Sequence, residues 1–193
     1  LGGQVNISAV PIAKQELCKV VKYLKTRLEK NHIDIRLNTV VTKELIATEF
    51  KDYEIVGAYG AKPNMIPAFT DFNQWATADD VLNGRVFAGQ KVVILGGGSV
   101  GCELADYLAP LLNDRFIRNR DITVLEMGKE ILLTETGAGR SVLVQRMLQK
   151  GIHIECNAKV TKAHDSKIYY EQNGQEHVIE NVNTLVFAIG YHV

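Results

Sequence analysis

The chain has 193 residues, 46% apolar and 23% charged, an ordinary globular composition that excludes an intrinsically disordered chain. Lysine plus arginine and aspartate plus glutamate balance at 22 each, so no bulk field draws nucleic acid or an anionic membrane, and any anion must be held by local geometry. No apolar run approaches the roughly 18 residues that span a bilayer and the N-terminus lacks a signal-peptide plan, so the expectation is a cytoplasmic protein with neither nucleic-acid nor membrane partner.

The first third holds a helix and two strand candidates. Leu17, Val20, Val21, Leu24 and Leu28 recur at helical spacing, and Ile33, Ile35 and Leu37 then alternate as in a half-buried strand. A short helix is expected near "TKELIATEF", and a second strand over Tyr53 to Ala61. Pro63 and Pro67 break the pattern, and the stretch from Lys62 to about Gln90 reads as loop-rich. Within it, "TADDVLNG" predicts a short helix capped by Thr77 and ended by Gly84. A domain boundary is expected near Trp75 to Asp79.

From Lys91 the pattern changes to alternating strand and helix. "KVVIL" is a continuous apolar run suited to a buried parallel strand, and Val100, Leu104, Leu108 and Leu111 line one face of the following helix. After the polar "NDRFIRNRD" loop, Asp121 to Glu126 forms the next strand. A helix from about Gly139 to Lys150 carries Val144, Met147 and Leu148 on one face and stops at Gly151. "GIHIEC" is a third strand; short strands around an Asn173-Gly174 turn and a closing strand, Thr184 to Ile189, complete the chain.

Where the first of these strands meets its helix stands "LGGGSVGCEL". A pyrophosphate needs backbone N–H groups close by, at the positive end of a helix dipole. In the G-x-G-x-x-G spacing Gly96 makes the tight turn, Gly98 removes a Cβ where phosphate must approach, and Gly101 lets helix and strand pack closely. Gly97, Ser99 and Val100 complete the candidate cradle, Ser99 as a cap or phosphate donor. Glu126 ends the next strand where an acid would accept from both ribose hydroxyls and repel a 2′-phosphate, which favours NADH over NADPH; Met127 follows it. Competing readings are a ligand-free glycine turn and a methyltransferase-type site. Glu103, in the first helical turn, is either a dipole-complementing surface acid or a group at the nicotinamide end. Cys102 sits at a helix start, where a thiol pKa can fall, but it has no partner cysteine and reads as a packed small residue. Cys18, Cys102 and Cys156 form no C-x-x-C, which excludes dithiol exchange of the thioredoxin-reductase kind, and with five isolated histidines they suggest no metal site. Asp79 and Asp80 read as helix-start acids, and no Ser/His/Asp elbow is visible, so no catalytic side chain is assigned.

Taken in order, "LGGQVNISAVP", "IRLNTVVT", "LGGGSVGCELADYLA", "VLEMGKEIL" and "VFAIGY" resemble the two-dinucleotide-binding flavoprotein fold. More narrowly, they resemble the C-terminal FAD/NAD(P)-binding region of NADH:flavin oxidoreductases related to 2,4-dienoyl-CoA reductase and trimethylamine dehydrogenase. The resemblance implies an α/β fold: a Rossmann-like NAD(P)-binding domain with a central parallel sheet and β-meander over residues 80–189, a partial FAD-binding-type domain over 1–79, and a return to the latter at 190–193. It implies that Gly96 to Gly101 hold the NADH pyrophosphate, Glu126 the adenosine ribose, and that Ala188, Ile189 and Gly190 pass close to the nicotinamide. Gly3 and Gln4 match a segment near the flavin. In that family the FAD domain begins with its own Gly-rich turn, expected just before Leu1, and the pair follows a barrel carrying FMN and a 4Fe–4S cluster. The start at "LGGQ" fits a piece of such a protein, inactive alone, whose missing barrel part is its partner. "VGAYGA" stands where the family has an A-T-G turn, so Tyr59 implies a relaxed FAD contact or a different local register. The alternative is a non-redox module holding ADP or NAD as a structural or regulatory ligand.

Overall fold

The computed structural model describes residues 1–109 and 120–193, and its centre is a five-stranded parallel sheet in the order β2-β9-β3-β4-β5. These strands are β2 (Trp75–Thr77), β3 (Lys91–Leu95), β4 (Asp121–Leu125), β5 (His153–Glu155) and β9 (Thr184–Phe187). "KVVIL", "ITVL" and "TLVF" are apolar without alternation because both faces of the sheet are covered, and Val92, Val93 and Ile94 have no exposed surface. On one face, Val92, Ile94, Ile122, Val124 and Val186 pack with Leu104 and Ala105 of α5 (Ser99–Leu108) and Met147 of α6 (Ala138–Gln149). On the other, Val93, Leu95, Leu125, Leu185 and Phe187 meet Ile168 and Tyr170. Those two belong to an antiparallel meander of β6 (Ala158–His164), β7 (Lys167–Gln172) and β8 (Gln175–Ile179). Asn173 and Gly174, with φ of 53° and 76°, form the primed turn that matches strand twist between β7 and β8.

Two polar devices fasten this unit. Thr77 caps α4 (Ala78–Leu82) in a capping box with Asp80, and Gly84 follows it at φ 70°. Asp106 on α5, 1% exposed, receives Arg146 and Lys150, the latter an ion pair at 2.9 Å that locks α5 to the C-terminal end of α6.

The N-terminal third departs from expectation. Helices form as α1 (Gly3–Ser8), α2 (Cys18–Lys30) and α3 (Lys43–Thr48), but none buries a residue, and Val20 and Leu24 of the anticipated apolar stripe are exposed. The segments 33–37 and 53–61 are extended or irregular rather than strands. A ladder needs a neighbour to take its N–H and C=O groups, and among the described residues no strand lies beside either segment. The only strand of this region is β1 (Lys62–Pro63), paired with β10 (Tyr191–His192). Two further corrections concern the second part. Trp75–Thr77 is an edge strand inside the stretch read as loop-rich, because β9 provides its partner. Leu148 is exposed, since its neighbour Met147 and the half-buried Leu143 and Val144 are the residues that face the sheet. Leu111 and most of the "NDRFIRNRD" loop lie outside the described residues.

Candidate functional site

The carboxyl ends of β3, β4 and β9 open together on a cavity of about 410 Å³. From β3 the chain runs outward through β4 to β5 and later returns as β9 on the other side of β3, and at such a reversal of strand order an open parallel sheet leaves a crevice. Gly96 leaves β3 with its N–H donating to the Leu125 carbonyl (2.9 Å), and Ala188 N–H donates to Leu95 carbonyl (2.8 Å), so the three strand ends are held together by main-chain bonds.

The glycines have separable causes. Gly96 lies at φ 104°, and a Cβ there would stand 2.4 Å from the Ala188 carbonyl oxygen. A Cβ at Gly101 would stand 2.0 Å from the Gly96 carbonyl oxygen, so this glycine lets α5 lie against the turn. At Gly98 a Cβ would meet no atom within 4 Å. Packing explains Gly96 and Gly101 and leaves Gly98 unexplained; it lines the cavity.

Glu126 follows β4 directly. Its Oε2 accepts from Gly97 N–H and its Oε1 from Gly128 N–H, each at 2.6 Å. Met127, Ala188, Ile189 and Gly190 line the same cavity as Gly96, Gly98 and Glu126. Ser99 hydrogen-bonds Glu135. Val100 and Glu103 face a different, smaller cleft with Gln4, Asp79 and Tyr191, and Glu103 is ion-paired with Lys14. The turn and the ends of β4 and β9 therefore converge, while Glu103 points to the N-terminal segment. Sequence reading missed Ile66, Ala158 and Val160, which supply apolar lining of the same cavity. They arrive from a loop and from β6, at distances in sequence that no local pattern reports.

Neither thiol near the turn has a reactive setting. Burial pushes the Cys102 thiol up to about 12, and the charges of Glu126 and Glu103 add to this, while its Sγ–H reaches the Gly97 carbonyl at 3.3 Å. Desolvation thus outweighs any lowering by the helix start. Burial, then the Glu126 charge, also raises Cys156. All three cysteines are free, and the described residues contain no group of three or more metal-type ligands. No helix among them is long and apolar enough to cross a membrane. Tyr191 donates to the buried Asp79 carboxylate at 2.6 Å, and burial followed by that carboxylate pushes the phenol pKa upward. Tyr59 is 82% exposed.

Cinnamate reductase of Clostridium sporogenes is 31% identical over 99% of this chain and 28% of its own length. Bilirubin reductase of Mediterraneibacter gnavus is 32% identical over 98% of the chain and 28% of its own length. A solved 2-naphthoyl-CoA reductase in complex with 2-naphthoyl-CoA superposes with a TM-score of 0.82 at 24% identity, over 99% of this chain and 28% of that one, and shares its fold. The chain spans less than a third of the length of these relatives. The family of pyridine nucleotide-disulphide oxidoreductases matches residues 7–193, which hold α2, α3 and the parallel sheet with its glycine turn. By that match the chain belongs to the pyridine nucleotide-disulphide oxidoreductase family.

Proposed function

We propose that this chain is the NADH-binding part of a longer flavin-dependent oxidoreductase and that it positions the nicotinamide for hydride transfer to a flavin. The observation that carries the reading is Gly98: packing requires glycine at Gly96 and Gly101, whereas Gly98 faces open space at the cavity, where a Cβ would intrude only on a ligand. The donor chemistry fits a dinucleotide. Amides opening α5 at Ser99, Val100 and Gly101 have no intrahelical acceptor and, with the helix dipole, suit a pyrophosphate. Glu126 suits the ribose hydroxyls, Met127 flanks it, and Ala188 to Gly190 form the floor toward the nicotinamide.

When bound, the nicotinamide supplies the hydride and a flavin accepts it. The chain's own residues bind, orient and exclude water, so no side chain acts as acid or base. Glu103, paired with Lys14, acts in this reading as a tie to the N-terminal segment rather than as a ligand to the nicotinamide. FAD belongs to residues 1–79 completed by further polypeptide, and FMN and a 4Fe–4S cluster belong to a barrel part that is this chain's partner. Residues 80–189 are the nucleotide domain, and a cytoplasmic setting agrees with the lack of a membrane-length apolar helix among the described residues.

A second reading, a non-redox ADP- or NAD-binding module, draws on the exposure of Tyr59 and the unpaired segment 53–61, which leave the flavin side open. Calorimetry of the chain with NADH, NADPH and ADP separates the readings. Tighter binding of NADH than of both others supports the first; equal affinity for ADP and NADH supports the module.

A further inference from the structure

The Glu126 carboxylate is gripped from two sides by main-chain donors, Gly97 N–H on Oε2 and Gly128 N–H on Oε1. A carboxylate oxygen accepts more than one hydrogen bond, so each keeps capacity for a ligand hydroxyl. The clamp is anchored at both ends. Gly97 carbonyl accepts from Leu132 N–H (2.7 Å), and Gly128 carbonyl accepts from Asn157 N–H (2.8 Å), which ties the turn to the start of the meander.

Gly128 has no backbone reason to be glycine, since its φ lies outside the left-handed region. A Cβ there would stand 3.0 Å from Glu126 Oε1, and its next neighbours are 3.8 Å away. The carboxylate is the one group a side chain at 128 would crowd. Held by Gly97 on the far side, it could yield only by loosening the clamp.

We infer that Gly128 is a specificity-determining positioning residue, whose N–H and missing side chain hold the Glu126 carboxylate for the adenosine ribose and against a 2′-phosphate. The inference rests on the dinucleotide reading of the same site. It also divides labour along the glycine turn: Gly97 N–H is committed to Glu126, so phosphate falls to the amides that open α5.

The test is calorimetry of the wild-type chain and Gly128→Ala with NADH and with NADPH. We expect wild type to prefer NADH, and Gly128→Ala to weaken NADH about tenfold, the scale of one charge-assisted hydrogen bond. NADPH should change by less than about threefold, so the preference collapses. A wild-type preference that Gly128→Ala leaves intact overturns the role of Gly128 alone. Failure of wild type to bind either nucleotide overturns the dinucleotide reading and the selectivity with it. Should Gly128→Ala fail to fold, amide NMR of Glu126→Gln without ligand takes its place: the Gly97 and Gly128 amide resonances should both move, and unmoved amides overturn the clamp.

Discussion

Asp106 and Lys150 face each other at 2.9 Å with side chains 1% and 2% exposed, and the Lys150 ammonium also donates to the Asp106 carbonyl at 2.6 Å. Arg146 completes the arrangement through Nε on Oδ1 at 2.8 Å. Asp106→Ala leaves two cations without their counter-ion, one of them sealed from water, and should cost about 3–5 kcal/mol. Urea denaturation checks this; the midpoint should drop with the m-value unchanged. Lys150→Met, which removes a charge but leaves Arg146 on the carboxylate, should cost less.

Gly98→Ala and Gly101→Ala should fail in opposite ways. A Cβ at Gly101 meets the Gly96 carbonyl at 2.0 Å, so that variant should be strongly destabilised or insoluble. A Cβ at Gly98 meets nothing, so Gly98→Ala should melt within a few degrees of wild type while losing dinucleotide affinity by at least about tenfold, or 1.4 kcal/mol. Thermal melts and calorimetry on the two variants suffice; normal NADH affinity in Gly98→Ala would remove the main support for the site.

The thiol of Cys102 makes alkaline stability a readout. Its pKa is raised in the folded state to about 12 from the ordinary 9.0, so the unfolded chain releases that proton first. Stability from this group is complete below about pH 9 and is lost as pH rises toward 12, with a slope of up to about 1.4 kcal/mol per pH unit. Tyr191, raised by burial and by Asp79, acts in the same direction. Cys102→Ala should flatten the alkaline limb of a stability–pH profile. With Ellman's reagent at neutral pH, exposed Cys18 should react first and Cys102 only on unfolding.

Tyr191→Phe removes the donor to a buried carboxylate and should cost about 1–3 kcal/mol, because Asp79, 7% exposed, loses a hydrogen-bond partner. Hydrogen exchange should show the loss concentrated in the β1–β10 ribbon, which carries Tyr191.

How legible all this was depends on what each residue answers to. Lys91–Leu95, Asp121–Leu125 and Thr184–Phe187 are strands buried on both faces, so local composition alone states their environment. Thr77, Gly84, Asn173 and Gly174 announce caps and turns for reasons confined to a few residues. Ile33, Ile35 and Leu37 carry an equally clear alternation, yet a strand exists only with a neighbour, and the alternation says nothing about whether one is present. The site divides the same way. Gly96 and Gly101 were readable from spacing, whereas Ile66 and Val160 enter by tertiary contact, and the Gly128 grip on Glu126 depends on a bond geometry that spacing does not encode.

The strand order has a kinetic consequence. β9, formed by residues 184–187, lies between β2 and β3 and is the partner that joins them, so two strands separated by a short stretch of sequence cannot be bridged until residues 184–187 have arrived. That pairing is of high contact order, and its loop-closure cost is met before any native contact rewards it. Synthesis from the N-terminus therefore leaves Trp75–Thr77 without its partner strand until residues 184–187 emerge. An internal deletion of Thr184–Phe187 should unfold the sheet from its middle rather than fray its end.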